Sequence, residues 1–275
     1  MKKKLLALVA VLTLVVTSVF GLTACGGQKD TRPVVTVGYT MNKPMNYKDS
    51  NGKLVGFDTE LAEKVFNNLG YRVVFKKITW SNKYVDLNSG NIDCVWNGFT
   101  CNSTDDGKQR SEIVDFSYKY MMNKQVVVVN KNSALKDAKN LDAFAGKKGM
   151  YENGSSGADW IPEFNGANTN GLEAQIDALI ELKAGSCEFA VVDKLLADAQ
   201  CGKGEFADLT VVEGVKALSP DEFYAVGFKK GSELTAKVNA ELEKLAKDEE
   251  LQKISDKYGI TPSLVTNFDE QKLNK

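Results

Sequence analysis

Histidine is absent from all 275 residues. With it go the commonest general base near neutral pH, the usual serine and cysteine triads, and most zinc, copper and manganese sites. Any chemistry has to come from carboxylates, lysine or cysteine, and no cofactor or metal is expected. No excess of one charge exists either: 35 Lys plus Arg stand against 36 Asp plus Glu. No strong positive field therefore gathers phosphates, and nucleic acid is not an expected partner. No Gly/Ser-rich linker and no internal repeat divides the chain. What is present is ordinary globular material, 43% hydrophobic and 26% charged, too apolar for disorder and sufficient for one or two packed domains.

Lys2, Lys3 and Lys4 precede an apolar run over 5–22, broken only by Thr13, Thr17, Ser18 and Gly21. This is the pattern of a secretory signal. The run ends in Leu22-Thr23-Ala24-Cys25, followed by Gly26 and Gly27, which resembles the bacterial lipobox. The resemblance implies removal of residues 1–24 and attachment of lipid, palmitate included, to Cys25. An uncleaved anchor would not need small residues directly before a cysteine. Residues 25–33 then read as the lipidated cysteine and a flexible tether, and the expected location is the cell membrane, held by lipid on the extracytoplasmic face. Removal of the leader takes three lysines and no acid, leaving a net charge of −4.

Four cysteines follow, at 94, 101, 187 and 201, an even number in an export context that permits disulfides. Seven extended residues would hold Cys94 and Cys101 roughly 23 Å apart at about 3.3 Å per residue, too far to bridge while the strand continues. Cys187 and Cys201 can meet only if a helix runs back after the strand near 187, and their bonding stays open.

Pro33 precedes the β-branched run 34–37, a strand. Asp58 then stands where it caps a helix carrying Leu61, Val65 and Leu69 on one face, with Gly70 as its stop. Strands are expected at 73–75 and 92–96, with a short helix over 83–88 ended by Ser89-Gly90. The alternation continues: 126–129 is a strand too apolar to be an edge. Leu172, Ile176, Leu179 and Ile180 form a helical stripe closed by Gly185, and strands follow at 189–192, 209–212 and 224–228. Two closing helices carry Leu234, Val238, Leu242 and Leu245, then Leu251, Ile254 and Tyr258. Alternation of this kind implies mostly parallel sheets flanked by helices. About 240 mature residues exceed one comfortable core, so two α/β lobes are expected, joined by strands.

From about 34 to 262 the chain resembles the solute-binding proteins of bacterial amino-acid ABC importers. Six segments carry the likeness in order: Pro44-Met45-Asn46-Tyr47 before DSNGKLVGFDTELAEKV, LNSGNIDCVWNGFT, Arg110 before Asp115-Phe116-Ser117, ENGSSG, LKAGSCEFAVVD, and the closing helix pair. The resemblance implies a two-lobed periplasmic-binding-protein fold joined by two hinge strands. Lobe 1 is then 34–123 plus 224–275, and lobe 2 is 124–223. It implies a monomer that captures a free L-amino acid between the lobes and delivers it to a permease.

The site follows from the same likeness and from what an amino acid requires: a guanidinium and N–H or hydroxyl donors for its carboxylate, an acid for its ammonium, an aromatic wall for its side chain. Arg110 matches the arginine that grips the carboxylate, with Gly154, Ser155 and Ser156 as the turn that helps to hold it. Asp193 matches the acid for the ammonium. Asn97, Gly98 and Thr100 match the segment touching the same backbone atoms, and Trp80 the aromatic wall. The stretch NSTDDGKQ makes the Gly98-to-Arg110 spacing longer than the family's. The acid that binders of basic amino acids often carry just upstream is missing from Thr40, Met41 and Asn42. Met41, Asn42, Met45, Asn46 and Trp80 would form an uncharged, polarisable wall suited to a polar uncharged or sulfur-containing side chain, whereas Lys43 would invite an acidic one.

Two other classes stand against this reading. Dehydratases acting on prephenate-like substrates share the fold, but they require a second acid or lysine facing the pocket to accompany Asp193. A sensory module would require a spanning helix after the lobes, and the sequence up to Lys275 offers none.

Overall fold

The computed structural model describes residues 30–215 and 220–272. The 1–24 leader and Cys25 lie outside the described residues. Just before Val34, Arg32 Nη1 donates to Asn67 Oδ1 at 2.8 Å and to the Tyr71 carbonyl at 3.1 Å.

Two five-stranded sheets organise the chain. In the first the order is Arg72–Lys77, Val34–Tyr39, Cys94–Val95, Gly227–Phe228, Asp115–Phe116. In the second it is Asn168–Leu172, Lys148–Glu152, Phe189–Asp193, Gln125–Asn130, Leu209–Val211. Four strands of each sheet point the same way, as the alternation requires, and one opposes them: Gly227–Phe228 in the first, Gln125–Asn130 in the second. These two follow directly on the crossing strands, Met121–Asn123 and Glu222–Tyr224, which pair antiparallel between the lobes. A strand that enters its sheet from the crossing runs away from the cleft, whereas strands fed by helical crossovers run toward it. The carboxyl ends of the parallel strands therefore face the space between the lobes, where open α/β sheets bind ligands.

The apolar patterns match their burial. Val126 and Val128 pack with Val192 and the Gln175–Lys183 and Lys194–Gln200 helices, while Val127 and Val129 pack with Phe144, Phe164 and Phe189 on the opposite face. A strand covered on both faces reads as one apolar run rather than an alternation. Gly149 lets Phe189 lie directly on the Lys148–Glu152 strand: a Cβ there would stand 2.2 Å from the Phe189 ring. The other lobe buries Val35, Val37, Phe57, Leu61, Phe66, Trp96 and Tyr120 against the Leu234–Lys247 helix, whose Val238, Leu242 and Leu245 form the expected stripe.

Several expectations are corrected. Asp58 is not the cap of its helix, which runs Phe57–Asn68 from Gly56; its carboxylate turns inward, accepting from the Gly98 N–H at 2.6 Å and the Tyr120 hydroxyl at 2.9 Å. Leu172 ends a strand rather than starting the helical stripe. The expected strand at 224–228 is two, Glu222–Tyr224 and Gly227–Phe228, because the chain passes there from the crossing into the first sheet. Cys187 and Cys201, whose bonding the sequence left open, are free thiols, and so are Cys94 and Cys101, as expected from their spacing.

Candidate functional site

A narrow, partly open pocket lies between the lobes, with about 10 Å³ of free volume, room for about one water. Trp80, Asn97, Gly98, Thr100, Arg110, Ser155, Ser156, Asp193 and Asn42 line it together with Thr40, Glu152 and Gln175. Each sits just beyond, or at, a strand's cleft-facing end, or on the loop that follows. Gly154 is not in the lining; its carbonyl meets the opposite lobe.

That carbonyl accepts from three side chains across the cleft: Trp80 Nε1 at 2.9 Å, Lys83 Nζ at 3.0 Å and Arg110 Nη2 at 3.2 Å. Gly154 reaches this position with φ 70°, a backbone conformation that other residues adopt at a cost. Arg110, 1% exposed, sends Nε to Asp105 Oδ2 at 3.0 Å, Nη2 to Asp105 Oδ1 at 3.3 Å and Nη1 to the Thr100 carbonyl at 3.1 Å. One edge of its fork is thus paired with an acid of its own lobe. These contacts use four of the five guanidinium N–H groups, leaving one on Nη1. Lys83 lies 3.4 Å from Asp105 and above the rings of Trp80 and Tyr84. Burial, with the Arg110 charge beside it, brings its pKa down to about 8 against the pull of Asp105.

In the second lobe the Asp193 carboxylate is held by amides. Gln125 Nε2 reaches it at 2.6 Å, Gln175 Nε2 at 2.8 Å and Asn123 Nδ2 at 3.0 Å, with Asn42 Nδ2 of the opposite lobe at 3.5 Å. Gln125 and Asn123 also donate to Glu222 on the crossing strand, at 2.9 and 3.1 Å. Burial, reinforced by Asp193, raises the pKa of Glu222. Burial and Asp193 likewise raise Glu152 to about 8, opposed by Lys83 and by hydrogen bonds from Gln175. Ser155 closes the turn that starts the Ser156–Asp159 helix, its hydroxyl bonded to the Glu152 carbonyl and the Ala158 N–H. Ser156 donates to Glu222 at 3.1 Å and lies 3.4 Å from Thr100 across the cleft.

The Asn97 amide is spent on its own lobe, donating to the Thr40 carbonyl and Asn46 Oδ1 while accepting from the Thr40 hydroxyl. It fixes the loop on which Gly98 takes φ 58° against the Tyr224 ring. Trp80 stands edge-on to Phe99 at 5.2 Å and so serves the core as well as the cavity. Met41, Met45, Asn46 and Lys43 do not line the cavity. The paired backbone bonds between Asn42 and Asn46 close a tight turn that sends Met45 into the core and leaves Lys43 over the Tyr47 ring.

Lys83, Asp105, Glu152, Gln175, Gln125, Asn123 and Glu222 escaped the sequence reading. Asp105 had a signal: NSTDDGKQ is a hairpin, Thr104–Asp105 against Lys108–Gln109, turning at Asp106-Gly107 with both residues at positive φ. An Asp-Gly pair is a strong marker of that turn.

A family model for bacterial extracellular solute-binding proteins, family 3, matches residues 35–261. The L-cystine-binding protein TcyA of Bacillus subtilis is 30% identical over 278 residues, covering 94% of this chain and 97% of its own. The arginine-binding extracellular protein ArtP of the same organism is 29% identical, covering 94% and 98%. A solved structure of an ancestral arginine-binding protein bound to glutamine superposes with a TM-score of 0.74 at 32% identity, covering 82% of this chain and 98% of that one. The families and relatives are binding proteins rather than enzymes. Among the described residues no helix is long and apolar enough to cross a membrane. On the extent of the family match and the two-lobed fold that accompanies it, the chain belongs to the bacterial extracellular solute-binding proteins of family 3.

Proposed function

We propose that this protein captures a free L-amino acid between lobes 34–123 plus 224–275 and 124–223 and hands it to an ABC permease, as a lipid-anchored monomer on the extracytoplasmic face. The observation that carries the reading is a pocket between the lobes lined by buried Arg110 from the first lobe and buried Asp193 from the second. Arg110, with the turn of Gly154, Ser155 and Ser156, receives the α-carboxylate. Asp193 receives the α-ammonium, which displaces the long Asn42 contact. Asn97, Gly98 and Thr100 shape the backbone subsite, and Trp80 and Asn42 stand beside the side chain. A ligand that bridges the lobes stabilises the closed state by contacts the open state cannot make. Relatives named for arginine and cystine support the amino-acid class. The uncharged stretch 40–42 favours a polar uncharged or sulfur-containing side chain.

Thermal-shift screening of the twenty L-amino acids and cystine tests the class. Uncharged polar or sulfur-containing ligands are expected to raise Tm more than arginine or lysine. The largest shift from arginine would refute the side-chain assignment.

A further inference from the structure

The loop that faces the pocket has one loose joint, and a buried acid holds it. Gly98 lines the pocket at φ 58°, and an added Cβ would stand 3.0 Å from the Tyr224 ring and 3.4 Å from Asn42 Nδ2. Glycine turns more freely than any other residue, so this peptide needs a tie of its own. Its neighbours have theirs: Asn97 through its side chain to Thr40 and Asn46, and the Phe99 carbonyl and Cys101 N–H through backbone bonds to Ala225 and Phe223 at 3.0 and 2.8 Å. The Gly98 N–H donates to Asp58 Oδ2 at 2.6 Å, and Asp58 Oδ1 accepts from the Tyr120 hydroxyl at 2.9 Å. Tyr120 directly precedes the crossing strand Met121–Asn123, and its N–H bonds the Tyr224 carbonyl of the other crossing strand at 3.0 Å. Asp58 is 0% exposed and does not line the pocket.

Resting on the amino-acid reading above, we propose that Asp58 is a positioning residue for capture: without touching the amino acid, it fixes the peptide between Asn97 and Gly98 in the orientation that the bound backbone meets, and ties that peptide to the crossing strands about which the lobes close. A peptide unit is rigid and moves as a whole. If its N–H lost the Asp58 acceptor, rotation about the Asn97 and Gly98 torsions would swing the pocket-lining atoms with it. The Tyr120 hydroxyl would lose its acceptor too, and a buried donor left unpaired favours any rearrangement that satisfies it. What Asp58 supplies is an acceptor oxygen rather than a charge, because both of its partners are uncharged. Asparagine can therefore stand in: its oxygen keeps the Gly98 N–H, and its NH2 turns to the Tyr120 oxygen, which accepts as well as donates.

Calorimetry with L-glutamine, L-methionine, L-cystine and L-arginine on wild type, Asp58→Leu, Asp58→Ala and Asp58→Asn tests this, the alanine variant serving if leucine does not fold. Val238→Ala, in the helix stripe of the same lobe's core, reports what loss of stability alone does. Hydrogen exchange of the Gly98 amide is read on the same proteins without amino acid. The apolar variants are expected to bind whichever of the four wild type binds at least about tenfold more weakly and to exchange the Gly98 amide faster. Asp58→Asn should stay within about threefold of wild type, and Val238→Ala should lose Tm but not affinity. Wild-type affinity in the apolar variants overturns the proposal, as does a Gly98 amide that exchanges in wild type as fast as in an exposed loop. Equal weakening in Asp58→Asn overturns it by assigning the effect to charge, and equal weakening in Val238→Ala by assigning it to stability. No binding of any of the four to wild type refutes amino-acid capture itself, and the exchange of Gly98 then decides whether Asp58 holds the loop.

Discussion

Replacing Asp193 by asparagine conserves the shape of the side chain and removes its charge, which separates the ammonium contact from the packing around it. In the structure three amide N–H groups lie within 3.0 Å of the carboxylate and a fourth, from Asn42, at 3.5 Å. Of the short three, Asn123 and Gln125 meet Oδ1 and Gln175 meets Oδ2, so an asparagine oxygen can keep the first two while its NH2 faces the Gln175 amide, which has to turn; the long one is what an incoming ammonium replaces. Loss of a charge-assisted hydrogen bond costs about 1.5–3 kcal/mol, which is a tenfold to roughly hundredfold weaker affinity. Closure should respond differently. The Gly154 carbonyl still gathers Trp80, Lys83 and Arg110, so the free variant should scatter like wild type, while the compaction driven by ligand shrinks. Calorimetry gives the affinity and small-angle scattering the compaction, with Arg110→Ala as the companion that should lose affinity from the carboxylate side. Affinity within threefold of wild type in Asp193→Asn, or full ligand-driven compaction, would refute the bridging role.

Lys83→Met should loosen the closed form by removing one of the three donors on Gly154, raising the radius of gyration of the free protein and weakening ligand by about tenfold; an unchanged radius and affinity would count against a role for the Lys83–Gly154 contact in closure. Stability should fall as pH rises from about 4 to 8, because Asp58, raised to about 7 mainly by burial, and Glu152, raised to about 8, stay protonated when folded after the unfolded chain has released its protons. For Asp58 the change from 3.8 to about 7 is worth up to about 4 kcal/mol at about 1.4 kcal/mol per pKa unit, and urea titrations of Asp58→Asn should show a flatter pH profile than wild type. Cys25→Ala should release the protein from membranes; detergent-phase partitioning and a palmitate label that both persist would show that cleavage does not occur there.

The sequence made the sheets legible where burial is two-sided or strictly periodic, as in 126–129 and the Val238, Leu242, Leu245 stripe, because local pattern alone sets those elements. Arg110 and Asp193 were legible through the order of motifs around them, and the structure brings both to one cavity. The polar network behind them was not. Gln125 and Glu222 are 97 positions apart, and each alone reads as a solvated residue at a strand end. Lys83 opens a short helix, where a lysine is ordinarily exposed; here the rings of Trp80 and Tyr84, Asp105 and, from the opposite lobe, the Gly154 carbonyl surround it. Asp58 shows the reverse case: the residue type and position fit a helix cap, yet the buried Gly98 N–H and Tyr120 hydroxyl compete more strongly for its oxygens. Met45 and Asn46 follow the tight Asn42–Asn46 turn away from the cavity, a direction that composition does not carry.

The most direct test of capture between the lobes is the melting temperature of the purified wild-type protein against each L-amino acid and its D-enantiomer. At about 100 times its dissociation constant a ligand adds roughly 2.7 kcal/mol, which for a body of this size raises Tm by about 5–10 °C. An uncharged polar L-amino acid should produce that shift and its D-enantiomer should not, since Arg110 and Asp193 fix the carboxylate and ammonium from opposite lobes. Absence of any such shift with all twenty L-amino acids and cystine would contradict the account.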